Sequence, residues 1–415
     1  MRVLFISKSG DGLGLAIRLQ LDGHDVAMWI KEANFTRAGK GIIQRPVSWR
    51  EKIAWADLVV VDMVSFGVHE QLFRRLGKPY LCCSPAMDEI ELDRKKGMQL
   101  FEQAKINIPE TFYYEGLAKA RKEIPTLDWQ KGFVFKPDAN IATAKTLVVR
   151  DKERLEWVLT QYKEDVSMVV QRIVDGIEIS TEGWFNGRDF IRPFNHTFEE
   201  KRFMNDDLGP NTGCSGNVVF TTQGDKLTAE TVEKLKPFLS KTGYRGPVDI
   251  NTIINEENSW ALEATCRLGY DACEALVEGL REPLIDLLFE TATGTKKEME
   301  LSNQYLIAVR LTVPPYPMEK VKPEDHGEPI LGLDEFKLKH IFLCDVYFED
   351  NELKYAGSDG VVLKATASGR DVREAKRRVY RTLKDVKVGS KQYRTDIGDR
   401  VPGDIEKLKS MGWLK

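Results

Sequence analysis

The sequence predicts a multidomain α/β and α+β protein. It has an N-terminal doubly wound α/β unit over residues 1–90 and a central α+β unit over 91–300, with a small lid at about 110–175. A strand-rich α+β unit follows over 301–415. Three observations carry this reading. Short β-type runs alternate with helical patterns through the first ninety residues, as parallel sheets with crossover helices require. Runs joined by Asp-Gly or polar turns follow, as in antiparallel hairpins. Beyond Leu301, strand-type runs dominate up to one basic helix.

The elements follow in order. Arg2–Ser7 is a buried-type strand, Ser9 to Gly14 a glycine turn, and a helix runs through Leu21. The turn could present backbone N–H groups to an anion, but it lacks the GxGxxG spacing of a dinucleotide site, and a tight strand-to-helix turn explains it as well. Asp25–Ile30, Leu58–Asp62 and Pro79–Cys83 are further strands. Asp93 to Ala104 is helical. Gly132–Pro137 and Ala144–Arg150 are strands, each bearing a lysine, Lys136 and Lys145. A helix capped by Asp151 runs to Gln161. Ser167–Ser180 is a strand, a turn at Asp175-Gly176, and a strand. Asp206 to Gly216 is a glycine- and proline-containing loop of the kind that binds ligands. Glu230 to Thr242, Ala272 to Gly279 and Pro283 to Thr293 are helices. The last unit has strands at Tyr305–Val313, His340–Phe348 and Val361–Thr366, a helix at Arg370–Lys384 and a polar tail at Tyr393–Gly398.

Composition excludes several classes. With 61 Lys+Arg against 64 Asp+Glu the net charge is -3, which exerts no general pull on nucleic acid or membranes. The six cysteines show no CxxC spacing, and a reducing, cytoplasmic setting fits them. No apolar run reaches membrane-spanning length, and the start turns polar too soon for a signal peptide. The five histidines show no zinc spacing, and no GxSxG motif occurs. Small molecules are the expected partners, nucleic acid is disfavoured, and a monomer or small homo-oligomer is expected.

The stretch Asp249 to Asp271 carries the chemistry. It reads as a hairpin, with strands Asp249–Ile254 and Ser259–Thr265 around the turn Asn255–Asn258. Alternation puts Glu263, Thr265 and Arg267 on one face, with Asp249 and Asn251 together on the partner strand. Mg²⁺ takes oxygen ligands between carboxylates and substrate phosphates, and arginine forks onto phosphate. The hairpin is either a metal–nucleotide floor or a solvated polar face.

Two lid lysines, an acid after Asp-Gly and an acid–arginine strand, in this order, resemble the ATP-grasp superfamily. Within it the chain resembles the glycinamide ribonucleotide synthetases (phosphoribosylamine–glycine ligases) over about residues 1–400. The most specific stretch is Lys201-Arg202 followed by Asp207-x-Gly209-Pro-Asn-Thr-Gly213-x-x-Gly216, beside the family's KR and D-x-GPNTGG-M-G. Arg394-x-Asp396-Ile-Gly398 matches the family's R-x-D-I-G. The resemblance implies ATP and Mg²⁺ (or Mn²⁺) as cofactors, and ligation of a carboxylate, glycine in the family, to an amine through an acyl phosphate, the purine-biosynthesis reaction. It places Lys136 and Lys145 with the nucleotide phosphates, Lys201 and Arg202 among the cofactor-binding residues, Gln171 and Arg172 at adenine, and Glu178 on the ribose. It makes Glu263 the principal metal ligand and Arg267 a phosphate ligand. It puts Asp207, Asn211, Thr212 and Gly213 around the amino acid and acyl phosphate.

Four positions depart from the family. Thr265 stands where the family has a metal-binding asparagine, so Asp249 or Asn251 is expected to supply the missing oxygen. The lid segment Pro137–Ala144 lacks glycine. Asp11 stands where an arginine of the phosphate-binding G-G-R-E-H-A lies, and Val361 where the arginine of G-G-R-V-L lies. The last two changes point to an amine acceptor without a phosphate, or with a cationic group near Asp11. Three alternatives stay open: the purine enzyme with a compensated phosphate site, a nucleotide binder without turnover, and a base- or nucleotide-modifying ligase, for which the basic helix Arg370–Arg381 is the support.

Overall fold

The computed structural model describes residues 1–137, 146–163, 165–317 and 327–415. Arg2–Ser7 (β1), Asp25–Ile30 (β2), Leu58–Asp62 (β3) and Tyr80–Leu81 (β4) form a parallel sheet of order β2-β1-β3-β4. Their near-continuous Val, Leu and Ile runs suit a sheet covered on both faces. The winding direction reverses between β1 and β3. Their C-terminal ends, at Ser7 and Asp62, therefore flank the crevice where such sheets bind ligands.

Thr111–Glu115 (β5), Phe133–Pro137 (β6), Leu147–Val149 (β7) and Ser167–Arg172 (β8) form the lid, an antiparallel sheet of order β5-β8-β6-β7. The lid has its own core, in which Phe133 and Phe135 pack with Leu117 and Val158 from its helices. Asp93 caps the helix Arg94–Gln103, accepting from Lys96 N at 3.0 Å. Asp151 does not cap as expected: a 3-10 turn over Lys152–Arg154 intervenes before the helix Leu155–Leu159, and the Asp151 side chain makes no capping bond. The helices Pro85–Leu92, Leu117–Glu123 and Val401–Ser410 were not expected, although proline at a first helical position is the usual mark of the first.

The central sheet contains Ile177–Asn186 (β9), Phe190–Arg202 (β10), Asn211–Thr222 (β11), Arg245–Ile254 (β12) and Ser259–Thr265 (β13). Tyr305–Thr312 (β14), Ile341–Leu343 (β15) and Val361–Gly369 (β18) extend it, in the order β13-β12-β9-β10-β11-β14-β18-β15. The strands after Leu301, expected as a unit of their own, thus share the central sheet's hydrogen bonding. Val346–Glu349 (β16) and Glu352–Tyr355 (β17) form a separate hairpin. The run His340–Phe348 is therefore two strands. It breaks at Asp345, whose carboxylate turns to accept from the backbone N–H groups of Ser358 and Asp359. Asn211–Gly216, expected as loop, is the start of β11 and pairs with β10 across a bulge between Glu200 and Arg202. Glu230–Thr242 is not one helix but a 3-10 turn, Val232–Leu235, followed by Lys236–Thr242.

A buried ionic cluster locks the extension to the helix Ala272–Gly279. Asp271 binds Arg310 of β14 at 2.7 Å and Lys364 of β18 at 3.3 Å, and Lys364 binds Glu274 at 2.6 Å. Removing one partner leaves an uncompensated buried charge. Lys364→Ala should therefore cost about 3–5 kcal/mol in urea unfolding. A Lys364→Met/Glu274→Leu double variant should recover most of that loss, and an equal loss in both would refute this account of the cluster.

Candidate active site

The site is built on the hairpin of β12 and β13. Asn251 pairs with Glu263 and Asp249 with Thr265. On the other side β9 contributes Ser180 opposite Asn251 and Glu182 opposite Asp249. Alternation sends Val248 and Ile250 into the core with Phe194 and Leu239, leaving these polar partners together on the opposite face. Arg267 lies just past the strand. Its Nε donates to Glu91 Oε1 at 2.9 Å, and Glu91 Oε2 accepts Cys266 N at 2.9 Å. Glu91 sits on the unexpected helix Pro85–Leu92, and nothing in the local sequence marks it as the anchor of Arg267.

A cleft of about 290 Å³ separates the lid from the hairpin, with Met98, Lys136 and Gln171 facing Glu263, Thr265 and Arg267. Lys136 ends β6 and donates to Leu262 O at 3.1 Å. Burial pulls its ammonium down to about 8. Gln171 donates to Thr111 Oγ1 at 3.1 Å, and its Oε1 is a buried acceptor without a partner among the described residues. Arg172 turns elsewhere, donating to Glu110 Oε2 at 2.5 Å and Asp128 O at 2.6 Å. Lys145, like the lid segment from residue 138, lies outside the described residues.

Glu263, Thr265 and Arg267 also line a neighbouring chamber of about 180 Å³, together with Lys201, Glu199, Asp249, Glu182 and Gly213. Lys201 Nζ stands 2.7 Å from Glu178 and 3.5 Å from Glu199. Burial opposes its charge, but Glu178, Glu199 and Glu263 together hold the ammonium protonated. Glu178 thus faces Lys201 and also accepts Asn251 Nδ2 at 3.0 Å. Glu263 is 3.2 Å from Arg94. Desolvation would raise its carboxyl, but Lys201, Arg94 and Lys136 hold it at about 2.

Among the described residues no three Asp, Glu, His or Cys side chains converge to hold a metal by themselves. Glu263 and Asn251 nevertheless form a donor pair. Asn251 is 5% exposed and its Oδ1 has no partner among the described residues. A carboxylate beside an unused amide oxygen fits Mg²⁺, which completes its shell with water and substrate phosphates. Asp249 is less suited, because burial and then the nearby Glu199 and Glu182 push its carboxyl well up, toward the protonated form.

The Lys201-Arg202 motif and the loop after it are held from the C-terminal tail. Arg394 donates to Asp207 Oδ1 at 2.9 Å and forks onto Asp396, which accepts Asp206 N at 2.9 Å. Arg202 donates to Gly209 O at 2.7 Å, and Thr212 Oγ1 to Lys201 O at 2.9 Å. Asp207, Asn211 and Gly213 are exposed, and of these only Gly213 borders the chamber.

A small cavity at the C-terminal end of β1 brings Asp11 and Val361 together with Asp345, Asp359, Arg310 and Lys364. Both cations are already bound to Asp271 and Glu274. Burial and the nearby Asp345 push the Asp359 carboxyl up to about 7.

No protein-family model matches the chain. The phosphoribosylamine–glycine ligase of Streptomyces coelicolor is 26% identical over 364 residues, 84% of this chain and 85% of that protein. That of Thermotoga maritima is 28% identical over 240 residues, 55% of this chain and 56% of that protein. The crystal structure of the Thermotoga maritima phosphoribosylamine–glycine ligase superposes with a TM-score of 0.74 at 22% identity, covering 96% of this chain and all 100% of that one. The chain has the fold of a phosphoribosylamine–glycine ligase. More distant neighbours carry the same architecture. The N5-carboxyaminoimidazole ribonucleotide synthetase of Thermotoga maritima has a TM-score of 0.59 at 13% identity, covering 93% and 98% of the two chains. The L-amino acid ligase of Bacillus licheniformis has a TM-score of 0.60 at 13% identity, covering 93% and 98%.

The Glu182 carboxyl yields a pH prediction. Burial pushes it from 4.5 up to about 7. Between those values the folded chain binds more protons than the unfolded one, so this residue lowers stability as pH rises through that window. Thermal melts should show the wild-type protein losing more Tm between pH 5 and pH 8, by roughly 2–4 °C, than Glu182→Gln. Parallel curves for the two proteins would count against a raised Glu182.

Proposed function

We propose that the protein is an ATP- and Mg²⁺-dependent carboxylate–amine ligase that forms an amide through an acyl phosphate, with an amine acceptor that carries no phosphate. The observation that carries the ligase reading is the edge of Glu263, Thr265 and Arg267 that the lid cleft and the chamber share. A nucleotide laid in the cleft points its terminal phosphate across that edge at a carboxylate in the chamber. The relatives named above support the reaction class.

The residues fit the steps. A carboxylate oxygen attacks the γ-phosphorus, the bond to the β-phosphate oxygen breaks, and ADP leaves. An amine nitrogen then attacks the acyl carbon, the C–O bond to phosphate breaks, and the amine proton passes to solvent or base. Phosphoryl transfer of this kind asks the protein for positioning and charge neutralisation. Lys136 and Arg267 supply positive charge at the phosphates, and Lys145 is assigned there by resemblance. Bound Mg²⁺ neutralises phosphate charge, with Glu263 and Asn251 as its protein ligands. Gln171 offers its free Oε1 to the adenine amino group. Glu178 is the ribose acid by resemblance, and Lys201 and the Asp207–Gly213 loop border the activated carboxylate.

The acceptor reading rests on the small cavity. Asp11 and Val361 replace two arginines of the family pattern, and Arg310 and Lys364 are tied to Asp271 and Glu274. A phosphate dianion there would meet Asp11, Asp345 and Asp359, while the cations that line the cavity, Arg310 and Lys364, are already paired. An uncharged or cationic amine meets no such barrier.

Two measurements test this function. Purified protein with MgATP and glycine should release ADP with unphosphorylated amines and not depend on phosphoribosylamine. Release that requires glycine and phosphoribosylamine together would restore the purine role, and nucleotide binding without turnover across the panel would favour a binding protein. Asn251→Ala should raise the Mg²⁺ concentration for half-maximal activity by about tenfold or more, as loss of a metal-site partner does. An unchanged requirement would remove Asn251 from the metal site.

A further inference from the structure

The chamber beside the nucleotide cleft contains more negative charge than the reaction above uses. Glu182, Glu199, Asp249 and Glu263 face only Lys201 and Arg267. Lys201 serves Glu178 and Glu199, and Arg267 serves Glu91. Glu263 has Arg94 and the metal role. Glu182 and Asp249 remain. They are direct cross-strand partners on the chamber face, and neither forms an ion pair among the described residues. Like charges directly opposite each other in a sheet destabilise it. Glu182 is 4% exposed and accepts from the Trp184 indole N–H, at 3.2 Å, and from the Asn195 side chain, and Asp249 accepts from Ser180, so the pair has neutral hydrogen-bond partners but no counter-ion among the described residues.

A second observation concerns the amide beside them. Asn195 is the next partner of Glu182 in the same row, on β10, and is 1% exposed. Its Nδ2 reaches toward Thr197, which borders the chamber, and its Oδ1 has no partner among the described residues. A buried amide oxygen left unsatisfied costs free energy unless a donor arrives. Two carboxyl groups and one amide oxygen stand in one row across three adjacent strands. That arrangement suits a group with several N–H donors, an ammonium or a guanidinium.

The geometry points to a carboxylate substrate that carries a positively charged nitrogen far from its carboxyl group, in the class of amino acids with a basic side chain, with Glu182, Asp249 and Asn195 as the site for that nitrogen. The assignment rests on the ligase reading, which puts the carboxylate at the edge shared with the nucleotide cleft. Glu263 at that edge and Glu182 stand two strands apart across the sheet and two residues apart along it, about 12 Å between backbones. In glycine the nitrogen lies under about 3 Å from the carboxyl carbon, too close to span from that edge to the acidic row. A side chain of the length of ornithine, lysine or arginine spans it with room for the acidic side chains themselves.

The test uses hydroxylamine as the acceptor, so that the natural amine need not be known. The full-length protein with MgATP and hydroxylamine is given glycine, norleucine, ornithine, lysine or arginine, and hydroxamate and ADP are measured. A basic amino acid should exceed norleucine in kcat/KM by about tenfold or more, the size of a charge-assisted hydrogen bond. Glu182→Gln and Asp249→Asn should each erase most of that preference while keeping the circular dichroism of the folded protein. Equal or better use of glycine or norleucine overturns the inference and leaves the ligase reading standing. Absence of hydroxamate with every carboxylate refutes the ligase reading. The pocket is then judged by calorimetric titration of lysine and norleucine into protein saturated with MgADP: tighter lysine binding, lost in Glu182→Gln, upholds the cationic site, and equal binding overturns it.

Discussion

Asn251 faces Glu263 across the hairpin of β12 and β13, and the position of every other polar group in the site follows from that pairing. The register is fixed by what lies beneath. Val248, Ile250 and Ala264 pack into the core below the sheet, so a slip of one residue would bury Asp249, Asn251 and Glu263 and expose the apolar set. The same register on the far side of β12 puts Glu182 against Asp249 and Ser180 against Asn251. One hydrophobic pattern therefore specifies both the donor pair for the metal and the acidic row beside it.

Holding this many charges in one place requires that cations be immobilised before substrate arrives. Arg267 is fixed by Glu91, Lys201 by Glu178 and Glu199, and Arg394 by Asp207 and Asp396. In each case a charge-assisted bond from a distant element fixes the side chain's direction. Buried pairs of this kind contribute little net stability, because desolvation offsets their attraction. Their effect is on geometry: the ammonium of Lys201 on β10 and the guanidinium of Arg267 just past β13 border the chamber with their directions set by Glu178, Glu199 and Glu91. Such preorganisation is what electrostatic catalysis of phosphoryl transfer needs.

The sequence was most legible where structure repeats locally. Short apolar runs placed the strands of the N-terminal sheet within a residue or two, β13 has its expected bounds while β12 begins four residues before the expected Asp249, and the shared face of Asp249, Asn251, Glu263 and Thr265 followed from alternation. It was least legible where pairing is long-range. Asn211–Gly216 reads as loop because its glycines and proline dominate the local signal, yet β10 supplies a partner strand across a bulge. Nothing near Glu91 marks it as the anchor of Arg267, and Arg172 fails to reach the cleft because Glu110 and Asp128, distant in sequence, hold it on the lid. The extension of the central sheet by β14, β18 and β15 depends on register between segments that no local pattern couples.

The acceptor end shows how two isolated departures become one physical statement. Asp11 and Val361 lie at opposite ends of the chain, and either could be compensated by a neighbouring lysine. The fold brings them to the same cavity and shows where the neighbouring cations go: Arg310 and Lys364 are both committed to the buried cluster that joins β14 and β18 to the helix Ala272–Gly279. Freeing either one for a phosphate would strand Asp271 or Glu274 in the interior, at a cost of several kcal/mol, about as large as the gain from a new phosphate contact. On the proposed acceptor reading, the loss of phosphate recognition is built into the packing of the C-terminal strands and is not confined to two surface substitutions. Restoring it would require changes in that core as well as an arginine at position 11.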